Sequence, residues 1–123
     1  MANNLRWRYG ETNPVMVPVD AGTVIEIGDL VYLETDDVRP ASAQSDQGSL
    51  AANQSLFHGK FAGVAMQSSP DGSSTAIRVA TRGVFEFDCT TATFEVGDLI
   101  GLDENAAGTL LEYQKVVAAS AAE

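Results

Sequence analysis

Apolar residues in this chain come in short runs rich in Val, Ile, Phe and Thr, separated by clusters of Gly, Asp, Asn and Ser. That pattern belongs to many short strands rather than to helices. It predicts strands over residues 15–19, 30–34, 61–67, 76–81, 83–87, 99–102 and 110–113. Between two of these runs lies Ser68-Ser69-Pro70-Asp71-Gly72-Ser73-Ser74. Its Pro presets φ and its Gly accepts positive φ, so 61–81 reads as a hairpin. Pro14 and Pro18 bracket Val15-Met16-Val17 and hold it extended, as an edge strand is held. The expected fold is all-β, a small barrel or sandwich of about seven short strands.

Two stretches depart from the strand pattern. The first sixteen residues hold the only Trp, in Leu5-Arg6-Trp7-Arg8-Tyr9, together with two of the seven basic residues. They read as an extended N-terminal arm, 1–16, ahead of a β-rich domain, 17–123. Residues 40–60 form one long loop, small and polar from Ala41 to Ser49, with 50–57 able to make a short helical turn. A loop of that length is usually functional or mobile. Its apolar end, Leu56-Phe57, either tucks onto the core or meets another chain.

A weak internal repeat aligns Glu26-Ile27-Gly28-Asp29-Leu30-Val31-Tyr32-Leu33-Glu34 with Glu95-Val96-Gly97-Asp98-Leu99-Ile100-Gly101-Leu102-Asp103. Each copy reads as an acidic-apolar pair, a Gly-Asp turn and the start of a strand. Gly28 and Gly97 supply tolerance of positive φ, and Asp29 and Asp98 supply oxygens for nearby backbone N–H groups. Two β-rich halves, or a barrel with repeated corners, follow from this.

Composition narrows the function. With 45% hydrophobic residues over 123 positions, the chain can build one core but hardly a deep enclosed cofactor pocket. Seventeen acidic against seven basic residues give a net charge of −10, which repels phosphate backbones and anionic lipid, so neither nucleic acid nor membrane is an expected partner. No run approaches the ~18 apolar residues of a membrane span, and the first eight residues show no secretory leader. The single Cys89 excludes an intrachain disulfide and multi-cysteine metal frameworks.

Catalytic constellations fail one by one. Val19-Asp20-Ala21-Gly22-Thr23 resembles an aspartic-protease loop, but Ala21 stands where the bracing hydroxyl belongs, and a second carboxylate would have to come from a dimer. Asp103 to Gly108 resembles half a calcium loop, yet position five is Ala107 and position twelve is Gln114. His58, the only histidine, has no catalytic neighbours, and Cys89 has a carboxylate beside it and no basic residue nearby, so it reads as a packing residue. No Gly-rich phosphate cradle occurs. No enzyme and no cofactor are expected. Arg6, Trp7, Arg8 and Tyr9, by contrast, are the residue types that anchor interfaces.

Taken in order, Val17-Pro18-Val19, Ile27-Gly28-Asp29-Leu30-Val31, Phe61-Ala62-Gly63-Val64-Ala65, the run Ile77 to Phe87, and Val96-Gly97-Asp98-Leu99-Ile100-Gly101 resemble the capsid decoration, or cement, proteins of tailed phages. That family was formerly catalogued as a domain of unknown function and sometimes labelled recombinase-like. The resemblance runs from about Asn4 to Val117 and lies in an arrangement rather than a signature site. It implies a non-enzymatic all-β subunit, made in the host cytoplasm and placed on the outer surface of the expanded virion capsid. There, often as a homotrimer, it would brace the major capsid protein, with Arg6, Trp7, Arg8, Tyr9, Leu56 and Phe57 as interface residues. Similar proteins continue past the Ala-rich stretch into a closing strand of the Ile-Gly-Arg-Val kind, whereas this chain ends at Glu123. Either the sequence is trimmed or the sheet closes differently, and the last residues are expected to fray. Two other readings rest on residue types alone: a carbohydrate- or peptide-binding module using exposed Tyr32, Phe57 or Tyr113, and a dimeric hydrolase pairing Asp20.

Overall fold

The structure is a computed structural model that describes residues 7–89, 93–95, 98–104 and 111–118. All seven expected strands form. They are β2 (Val15–Val17), β3 (Leu30–Glu34), β5 (Phe61–Ala65), β6 (Ile77–Ala80), β7 (Val84–Phe85), β9 (Ile100–Glu104) and β10 (Leu111–Ala118). Three more appear beside them: β1 (Trp7–Tyr9), β4 (Asp37–Pro40) and β8 (Asp88–Cys89).

One antiparallel sheet organises the rest, in the order β2-β6-β5-β3-β4. The expected hairpin is its centre, with Val64 opposite Ala80 and Ala65 opposite Val79. Both outer strands are bounded by proline, as outer strands tolerate: Pro14 and Pro18 flank β2, and Pro40 ends β4 opposite Val31. Smaller sheets, β8-β10-β9 and β1-β7, complete an open, sandwich-like arrangement, and no closed barrel forms among the described residues.

Strand alternation gives the large sheet two buried faces. Leu30, Tyr32, Val64 and Ala80 point one way, onto Leu102 of β9, Leu111 of β10 and the helix described below. Val31, Ala65, Ile77 and Val79 point the other way and are covered by Val19 and Ile25. The covering segment is fixed by backbone bonds: Val38 N–H to Pro18 O (3.0 Å), a reciprocal pair between Ile25 and Ser69 (2.9 and 2.8 Å), and Gly72 N–H to Ala21 O (2.7 Å).

Residues 40–60 are mostly helical rather than a long loop. A 3₁₀ turn spans Ala41–Ala43, and α1 spans Leu50–Lys60, running on to Lys60 past the short helical turn expected over 50–57. Ser49 caps α1 by accepting the Ala52 N–H (3.2 Å), and His58 and Lys60 lie at the C-terminal end, where positive charge is favoured. The buried Asn53 ties the helix down. Its Oδ1 accepts the Gln47 N–H (2.7 Å), and its Nδ2 donates to Asp46 (3.1 Å) and to Glu104 of β9 (2.9 Å). Gln54 donates to Leu102 O (2.9 Å). Asn53 and Gln54 of α1 thus fasten the helix to β9, and Gln44, Asp46 and Gln47 of the small polar stretch before it bond to Asn53.

The closest backbone approach is at Gly63, which has φ +150°; a Cβ there would lie 1.9 Å from Ala80 O and 2.9 Å from Val79 Cγ1. Gly63→Ala is therefore expected to cost about 3 kcal/mol or more, a large single-residue loss, and to lower the thermal midpoint sharply. Gly59→Ala, in α1 with open space around it, is expected to raise stability by up to ~1 kcal/mol. Thermal unfolding of the two variants checks both signs.

Candidate functional site

Trp7 and Tyr9 lie on β1, which pairs antiparallel with β7 so that Trp7 faces Phe85 and Tyr9 faces Val84. Trp7 is 49% exposed and Tyr9 67%, and Val84 beside them is exposed as well. The Trp7 indole N–H donates to Gly10 O (3.1 Å), and Arg8 donates to Glu86 (2.6 Å) in an exposed ion pair. The segment after β1 is tied to the sheet by Thr81 N–H to Thr12 O (2.8 Å) and Thr81 Oγ1 to Asn13 O (2.7 Å). Apolar rings are thus held in solvent on an anchored ribbon. Arg6 lies outside the described residues.

Leu56 and Phe57 go elsewhere. Leu56 is half-buried, and Phe57 is inside the core, edge-on to Tyr32 (5.9 Å between ring centres) and tilted against Phe61 (5.5 Å). Tyr32 is buried too, its phenol pKa raised by that burial and by Glu34; Glu34 is itself held low by its hydrogen bond from Lys60 (2.9 Å). Neither ring is available as a sugar platform, and the Tyr113 side chain lies outside the described set. Near Phe57, a largely apolar cavity of about 290 Å³ opens between α1 and β9.

The repeated turn is real in three dimensions. The Glu26 N–H donates to Asp29 Oδ2 (2.9 Å) and the Asp29 N–H to Glu26 O (3.1 Å); the Glu95 N–H donates to Asp98 Oδ2 (2.8 Å) and the Asp98 N–H to Glu95 O (3.0 Å). Gly28 has φ +94°, the positive value expected of it, and Gly97 lies outside the described residues. The two turns differ in surroundings, since Asp29 is buried and Asp98 exposed.

Residues weighed for catalysis do not converge. His58 is exposed on α1, and Cys89 is exposed on β8 rather than packed in the core. Asp103 lies 3.7 Å from Lys115 and Glu104 accepts from Asn53, with 105–110 outside the described residues. No metal-holding group occurs among the described residues. Asp20 does meet a second carboxylate, from its own chain. Asp37 of β4 is buried next to it, and Arg39 bridges them at 3.5 Å to Asp20 and 3.9 Å to Asp37. Sequence spacing gave no sign of this group, because its members come together only when the 18–25 segment crosses β4.

The family model for the phage cement protein matches residues 42–123, well over half of the chain. The chain belongs to the phage cement proteins. No curated protein and no solved structure matches it. Membership gives a structural, capsid-stabilising role and a place in the virion capsid, and it points away from catalysis. The matched span contains α1, the lining of the apolar cavity apart from Leu30, and the second turn, and begins after β1 to β4.

The acid pair gives this cement protein a pH dependence. Burial raises the Asp37 pKa above the ordinary carboxylate value, helped by the hydrogen bond and charge of Asp20, while Arg39 pulls the other way. Its Oδ2 and the Arg39 Nε are buried without hydrogen-bond partners, so the ion pair compensates poorly. With the folded pKa above the unfolded one, the contribution to stability is full below the unfolded value and is lost as pH rises through the folded one. Asp37→Asn is expected to raise the thermal midpoint by a few degrees at pH 7 and to change it little at pH 3. A lower midpoint at pH 7 would show that attraction to Arg39 outweighs burial.

Proposed function

We propose that this cement protein binds the outer surface of the expanded phage capsid and stabilises contacts between major capsid subunits, acting as a homotrimer made in the host cytoplasm. The observation that carries the reading is the β1–β7 ribbon, which keeps Trp7, Arg8 and Tyr9 on one anchored, exposed element of a cement-family chain. Exposed aromatics of this size are worth little in water and a great deal when a partner covers them. The arm, residues 1–16, is the proposed clasp, with Arg6 contributing charge beside Arg8. The acidic body supports solubility at high copy number. Many weak contacts on one shell act together, and a fold docked on a shell is stabilised by docking.

The test is co-sedimentation with expanded, DNA-filled heads that lack the protein. Trp7→Ala combined with Tyr9→Ala is expected to weaken binding at least tenfold while leaving the thermal midpoint of the free protein within a few degrees of wild type. Unchanged binding overturns the clasp. A free protein that sediments as a monomer, and stays monomeric per site on the shell, overturns the trimer.

A further inference from the structure

The two halves of the repeat carry the same turn, each followed by a strand with an antiparallel partner, but not the same neighbours. In the first half, β3 follows the Asp29 turn and is flanked on both sides, by β4 and by β5. The strand β5 is seated against the turn itself: Gly28 N–H donates to Ala65 O and Ala65 N–H to Asp29 O, both at 2.8 Å. In the second half, β9 follows the Asp98 turn and pairs with β10 alone, at the edge of its sheet. No strand among the described residues takes the place on β9 that β5 takes on β3; Gln54 of α1 reaches β9 there, at the Leu102 carbonyl (2.9 Å).

The apolar residues register the difference. Leu30 and Val31 are 8% and 0% exposed, while their counterparts Leu99 and Ile100 are 60% and 54% exposed. The apolar cavity lies alongside, with Ile100, Gly101 and Leu102 in its wall opposite Phe57 and Phe61. An unpaired edge offers backbone hydrogen bonds, and a pocket beside it offers a seat for one side chain, the combination by which a sheet takes up an added strand.

We propose that the edge running from Asp98 into β9 as far as Leu102, on which Gln54 takes the Leu102 carbonyl, binds an extended segment of the major capsid protein as an added strand, with one of its apolar side chains in the cavity beside Phe57. The occupant is identified by charge. The edge is approached past exposed Glu95 and Asp98, on a chain of net charge −10, so the segment that fits is apolar with basic residues beside it. A second copy brings the same negative charge to the same acidic turn and is the poorer partner. The inference rests on the capsid-binding reading and adds to it a second contact, separate from the β1–β7 ribbon.

The experiment compares the intact protein free and bound to expanded heads. In wild type, backbone amides of 99–102 are expected to gain at least tenfold protection from hydrogen exchange on the heads. Ile100→Lys, at an exposed position, is expected to weaken head binding at least tenfold with an unchanged thermal midpoint, because it sets a positive charge against the basic strand. If wild type binds heads but these amides gain no protection, the edge is not the contact, and the capsid-binding reading stands without it. If protection appears in the free protein at high concentration and Ile100→Lys abolishes self-association, the occupant is a second copy and the proposal is wrong. If wild type binds no heads at all, the capsid-binding reading fails and this inference with it.

Discussion

The pairing of β3 with β5 is the constraint on which the rest of the structure depends. Ala65 exchanges hydrogen bonds with the Gly28–Asp29 turn, and Gly63 brings the β5 backbone close against β6. With β5 locked on both sides, the five-stranded sheet has a single register, and a single register decides which side chains face each core. One face then receives α1 and the β9–β10 hairpin; the other receives Val19 and Ile25. The described residues are organised around a sheet whose centre is covered on both faces, which leaves edges, ribbons and turns as the open places for contact. For a protein that works by holding a shell together, those are the parts left free to do it.

The strand content was legible because it is written in runs of β-branched and aromatic residues broken by turn formers. Every such run became a strand, and the Pro-Asp-Gly turn made the hairpin. Two of the strands that escaped, β4 and β8, lack that signal. Asp37-Val38-Arg39-Pro40 has charge at two of four positions and is extended because β3 supplies a partner, and Asp88-Cys89 is held by β10 in a parallel pairing of two residues. The helix was underread for a related reason. Leu50 to Lys60 has no regular apolar stripe, and its security comes from Asn53 and Gln54, polar residues whose partners lie in distant segments. Interactions of that kind have no local signature.

The sites show the same division. The Gly-Asp turns were recognisable from sequence, and both have the bonding expected of them, because the Asp side chain closes on a backbone N–H three residues back. What the alignment of the two segments did not contain was their unequal surroundings, which appear only once β5 is seen against one and not the other. Among the aromatic residues, Trp7 and Tyr9 lie in solvent whereas Phe57 and Tyr32 lie in the core. Residue type alone does not separate these cases. Asp20 stands in a loop that resembles half of a carboxylate pair, but its neighbour Asp37 stands in no motif, and the two meet only through a chain crossing.

Family membership supplies the role, and the structure supplies the surfaces through which a chain without a catalytic constellation among its described residues can perform it. The central claim is that this protein strengthens a capsid. The measurement that tests it most directly is the temperature at which DNA is released from expanded heads, with the protein added in rising amounts. The account predicts that release shifts to higher temperature and that the shift saturates at a fixed ratio of bound copies to major capsid subunits. Release at the same temperature with and without saturating bound protein would contradict it.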